Sequence, residues 1–198
     1  MPSFLQTAKQ KVVGVGRIPE DSVDFDLLNE FKTVVLVIER TILKFEEKIR
    51  FSANLHEEFL QISTSTHLKD RLSRIPRTCD SMCSNRLGPI KMRISSILNR
   101  IENFEIGLKK RDEAYFMKSY YIQKIANLPE KDKLDFARVD RNIKKQADAV
   151  TKFAESETIV AQVGDFLKNR FASLNAIMEL YVRFLGDYHD TLAEEIDN

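Results

Sequence analysis

The stretch LGPIKMRISSILNRIENFEIGLKKRDEAYFMKSYYIQKI, residues 87–125, decides the fold class. Leu87, Ile90, Ile94, Ile97, Ile101, Phe104, Leu108, Tyr115, Ile122 and Ile125 recur at alternating steps of three and four, with only Arg111 and Lys118 interrupting the series. A period of ~3.5 residues sustained this long is that of a helix packing its seam against other helices. The helix is expected to open near residue 80, after Pro76-Arg77-Thr78, and to stop around Asn127-Leu128-Pro129. Prolines end helices because the ring disfavours the helical region for the preceding residue. Pro89, near the start, is either tolerated for its missing donor or kinks the helix.

Two more stretches share the period. The first opens at Pro19-Glu20-Asp21-Ser22, where Asp21 or Ser22 can cap the first turn. Its seam runs Leu28, Phe31, Val35, Ile38, Ile42, Phe45, Ile49, Ser52, His56, Phe59, Ser63, Thr66. The run from Val34 to Ile38 could pass for a strand, but the helical period continues on both sides of it. Its extra apolar width predicts cover from more than one side. The third stretch restarts after Lys131 and runs to about Ile196, with the seam Phe153, Glu157, Val160, Gly164, Leu167, Phe171, Leu174, Met178, Tyr181, Leu185, Tyr188, Leu192. Near its end Ile177, Val182 and Phe184 add a second apolar face. A helix apolar on two sides needs more neighbours than one three-helix bundle supplies, so a second, homologous chain is expected to pack there. The candidate dimer contacts are Phe31, Val35 and Ile38 with Leu174, Met178, Tyr181 and Leu185.

The expected fold is therefore all-α: a long three-helix antiparallel coiled coil that dimerises. Helices of roughly 45 to 60 residues span about 70 to 90 Å, so a rod is expected in place of a ball with a radius of gyration of about 16 Å. Composition agrees, since 198 residues hold only 6 Gly and 5 Pro, with 31% charged and 43% hydrophobic side chains. Two regions are expected: an amphipathic segment over 1–18 and one domain over 19–198. No apolar run is long enough to cross a bilayer, and the first residues lack the pattern of a secretory signal. Cys79 and Cys83 form a lone CxxxC, which favours a reducing, cytoplasmic home over a disulfide or zinc site.

The net charge of +1 conceals segregation. Residues 86–145 hold 15 basic and 8 acidic side chains, whereas 146–198 hold 4 and 10. An elongated basic surface suits an anionic lipid leaflet, where each basic residue contributes about 1 kcal/mol; solvated helix faces with pairs such as Glu105–Lys109 are the plainer account. At the chain start Phe4, Leu5, Ala8, Val12 and Val15 fall within a sector of about 100° on a helix. Lys9 and Lys11 flank them and can extend toward phosphates. Phe4, Leu5, Ala8, Lys9, Lys11 and Val12 are thus candidates for insertion among headgroups. A tail without structure, or a helix covering the bundle, fits the same residues.

Residues 107–128, GLKKRDEAYFMKSYYIQKIANL, resemble the amphiphysin/Rvs (N-BAR) class of BAR domains, in which a basic cluster precedes tyrosines and a basic run leads to the tip. RLGPIKMRIS upstream is similar to the segment opening that family's second helix, and KNRFASLNAIMELYVRFLGDYHDTL to its closing segment. The family's E-L-P-type segment is replaced by Val163-Gly164-Asp165-Phe166-Leu167. The resemblance is to short Rvs-type members without an SH3 domain. It implies a crescent-shaped homodimer or heterodimer with a related BAR protein, built on a six-helix central bundle. It further implies lipid contacts by Lys109, Lys110, Lys131 and Lys133, with Arg138, Lys144 and Lys145 behind them. Phosphatidylserine or phosphoinositide membranes, a peripheral-membrane location and a role in endocytosis or membrane trafficking follow from the same resemblance.

No enzyme is expected. His56 falls on a seam, His67 and His189 lack ligands at metal spacing, and neither a phosphate-binding glycine loop nor a nucleophile elbow occurs. No cofactor or metal is expected, and no nucleic acid, because the basic stretch lacks a stacking pattern of aromatics. The expected function is a scaffold that senses or generates curvature on anionic bilayers. The alternative is a soluble helical adaptor, spectrin-like or SNARE-regulator-like, that binds protein partners without lipid.

Overall fold

In the computed structural model, residues 21–128 and 135–197 are described, and among them every element is helical. They are α1 (Asp21–Ile62), α2 (Thr66–Met82), a π turn (Cys83–Leu87), α3 (Gly88–Ala126), α4 (Phe136–Lys168) and α5 (Arg170–Asp197). The expected all-α class holds.

The helices belong to two compact units. The described part of the first comprises α1 up to Asn29 together with Arg100–Lys168. Within it α3 and α4 run antiparallel, since Phe104 meets Phe166 at 5.1 Å between ring centroids while Tyr115 meets Phe153 at 5.5 Å. Leu108, Arg111, Tyr121, Ala149, Phe153, Val163, Phe166 and Leu167 are buried. Gly107 allows a close crossing, because a Cβ there would lie 2.8 Å from Cγ1 of Ile159.

The second unit holds Glu30–Asn99 and Asn169–Asn198. Thr78 pairs with Glu195 and Arg86 with Asp187, so α5 runs antiparallel to α2 and the π turn. Phe45 anchors an aromatic cluster, with its ring edge-on to Tyr181, Phe184 and Tyr188. Glu46, only 8% exposed, accepts hydrogen bonds from Lys91 at 2.8 Å and Arg50 at 3.1 Å.

Three expectations need correction. The second long helical stretch opens at Thr66, not near residue 80: the Ser65 hydroxyl caps α2 by accepting from the Leu68 amide, and Pro76 lies buried inside that helix. Thr66, assigned to the first seam, belongs to α2. The chain tolerates Pro89 just after a π turn, whose wide loop is closed by the Gly88 amide on the Cys83 carbonyl. A π turn adds a residue and re-phases the ladder where a proline removes a donor. The third stretch is interrupted at Asn169, and its buried side chains are Asn142, Ala149, Phe153, Val163, Phe166, Leu167, Ile177, Phe184 and Tyr188. Glu157 and Phe171, placed on its seam, are exposed. The third correction is that Phe31 and Val35 are buried within the chain itself, 3% and 0% exposed, and have no surface left for a partner.

Candidate interaction surfaces

Two basic residues of the first unit, Arg111 and Lys118, occupy α3 positions that face α4. Arg111 is buried, as its seam position predicted, with its guanidinium 5.8 Å from the Phe153 ring centre. The Lys118 ammonium lies 4.4 Å above the same ring. A cation over an aromatic face is attracted by the ring quadrupole, so both interruptions of the α3 period meet one phenylalanine of α4. Phe153 was visible in the sequence as a seam residue, but not as their shared partner.

Lys109 and Lys110 of α3 and Arg138, Lys144 and Lys145 of α4 are all exposed. Lys144 is paired with Asp140 at 3.0 Å. Arg138 sits in the first turn of α4, where its amide donates to the Asp135 carboxylate. Lys131 and Lys133 lie outside the described residues, as do Phe4, Leu5, Ala8, Lys9, Lys11 and Val12.

Lys110 and Lys145 come together on one open groove of about 630 Å³ between α3 and α4. Lys152 joins them, and so do Glu113, Asp148 and Glu155. The basic character read from composition is thus balanced locally by carboxylates one turn away on each helix. Spacing alone could have shown this, since Lys145, Asp148, Lys152 and Glu155 share one face of α4.

The second unit differs in kind. Val37, Phe51, Phe59 and Ile62 of α1 are exposed, Ile62 by 74%. They lie roughly 150° around the helix from the buried stripe of Phe31, Val35, Ile42 and Ile49, at ~100° per residue. On α5, Phe171, Met178 and Val182 are exposed, Val182 by 62%. Leu174 and Leu185 are half-buried beside them. Among the expected dimer contacts, Met178 is therefore open, while Ile38, Leu174, Tyr181 and Leu185 are partly covered. Phe59, placed on the first seam, is instead exposed and lines up with Phe51, Leu55 and Ile62 in a second apolar stripe that the spacing alone also offered.

Among the described residues no helix is long and apolar enough to cross a membrane, and no group of three or more His, Cys, Asp or Glu is placed to hold a metal ion. The sequence matches no protein-family model and no curated protein.

Proposed function

We propose that the chain is a dimeric, BAR-type scaffold that binds anionic bilayers and senses or imposes their curvature. In this reading the heptad-spaced helices form a coiled coil, and two chains, identical or related, join in a crescent around a six-helix bundle. The observation that carries the proposal is the uncovered apolar stripe on α1 and on α5 of the second unit. Contiguous apolar surface on a charged helical protein marks an interaction site, and a second copy offers matching stripes.

The lipid face rests on Lys109, with Lys110, Arg138, Lys144 and Lys145 as further contacts and Lys131 and Lys133 beyond the described residues. Lys144 contributes less because Asp140 holds it, and Lys110 and Lys145 less because carboxylates share their groove. Phosphatidylserine or phosphoinositides are the proposed headgroups, with a cytoplasmic, peripheral-membrane location and a place in endocytosis or trafficking. Insertion by residues 1–18 would supplement this electrostatic attachment.

Co-sedimentation with phosphatidylserine vesicles tests the reading. Lys109→Glu combined with Arg138→Glu is expected to lower the bound fraction severalfold at low salt. The difference should shrink toward 0.5 M salt as the charges are screened. Equal sedimentation of wild type and variant would remove the lipid face. A protein that ignores vesicles altogether while binding helical partners would be the soluble adaptor instead.

A further inference from the structure

We infer that the α3–α4 groove of the first unit is a docking site for an amphipathic helix of a protein partner. The groove spans Lys110–Tyr121 on α3 and Lys145–Ser156 on α4. Twelve helical residues extend about 18 Å. Its floor is made by Ala114, Met117, Tyr121 and Ala149, two of them small enough to let another backbone approach. An open groove of about 630 Å³ along that length has room for one face of a helix about 10 Å across.

The charges identify the occupant. Among the described residues none of Lys110, Glu113, Lys145, Asp148, Lys152 and Glu155 forms an ion pair with another residue. Along α4 the signs alternate from Lys145 through Asp148 and Lys152 to Glu155. Three ammonium groups beside three carboxylates give no net attraction for a lipid leaflet or a phosphate. An alternating rim around an apolar floor is the arrangement that sets partner and register between helices. The complementary ligand is a helix of three or more turns with an Ala/Leu face, flanked by alternating Glu and Lys. This inference does not depend on the membrane reading, although Lys110 and Lys145 belong to both.

The probe is a fluorescent 18-residue peptide of that design, titrated into the full-length protein by anisotropy. Saturable binding in the micromolar range is expected. Lys145→Glu with Lys152→Glu makes the α4 rim wholly acidic; it should weaken that peptide about tenfold, and a second peptide with an all-lysine flank should then prefer the variant. Ala114→Phe, which fills the floor without altering charge, should abolish binding of the first peptide. Helicity and melting temperature identify any variant that unfolds, and the reversal on the second peptide is a gain that unfolding does not produce. Absence of saturable binding to wild type overturns the inference, as does binding indifferent to the rim charges. If the charge variant loses vesicle binding and no peptide binds, the groove faces lipid and the inference is also overturned. Vesicle assays on Lys109→Glu with Arg138→Glu report the membrane proposal separately.

Discussion

Glu46 shows how one charge is kept inside a helical core. The Lys91 ammonium donates to it and lowers its carboxyl pKa below the ordinary 4.5; burial opposes the shift and Arg50 assists it. A lowered folded value stabilises the fold above the unfolded pKa and loses that contribution as pH falls through the folded value. Glu46→Gln is therefore expected to cost about 1 kcal/mol near neutrality, limited by the solvent that reaches Lys91. The difference from wild type should vanish in strong acid, which thermal melts between pH 7 and pH 2 would measure. Nearby, burial pushes the thiols of Cys79 and Cys83 up, and it raises the Tyr188 hydroxyl to about 12. The thiolate is the reactive form. Both cysteines are buried, so Ellman's reagent at pH 8 should modify them about 100-fold more slowly in the folded protein than in denaturant. Rapid reaction in the native state would mean that the packing of α5 against α2 and the π turn opens readily.

Helices were legible where one periodic face did all the work. From Leu87, the last residue of the π turn, to Arg111 on α3 the seam is buried at each expected position, because a single stripe faces the neighbours throughout. The start of α2 was hidden by Pro76, which reads as a breaker when its burial beside Ile75 and Cys79 is unseen. A proline costs a helix about 3 kcal/mol in isolation, and only tertiary packing offsets that. The register of α4 and α5 was half legible: Phe153, Leu167 and Tyr188 are buried as expected, but the companion positions are Val163, Ile177 and Phe184, one residue before the expected Gly164, Met178 and Leu185, and a helix apolar on two sides lets either set pass for the seam. The alternating groove charges were missed because counting charge by segment averages over faces. At the α3–α4 crossing, Gly107 should behave as a sensor of packing. Gly107→Ala gains helix propensity of about 1 kcal/mol, but its Cβ meets Cγ1 and Cδ1 of Ile159 at 2.8 and 2.9 Å. The substitution is expected to be neutral or destabilising in wild type and stabilising by about 1 kcal/mol in an Ile159→Ala background. Urea unfolding of the four proteins in that cycle measures the coupling. An unchanged effect in both backgrounds would show that Ile159 does not restrict the crossing.

Self-association links the apolar stripes to any action at a membrane. If two copies cover the stripes, folding and dimerisation are coupled, and the melting temperature rises with protein concentration. Phe59→Asp with Ile62→Asp alters side chains that are mostly exposed in the single chain, so it should leave helicity intact. The variant is expected to sediment as a monomer and to melt at a temperature independent of concentration. Its vesicle binding should fall more than the loss of two apolar side chains explains, because a dimer presents its basic residues twice and gains avidity of about 100-fold or more when both copies engage. A joined tandem of two variant chains should recover part of that binding, since the link restores valency without the interface. If the variant remained dimeric, the α1 stripe would be excluded as the contact and the exposed face of α5 would have to hold the copies together alone. If it became monomeric yet bound vesicles as wild type does, attachment would belong to the single chain, and dimerisation would serve shape rather than affinity.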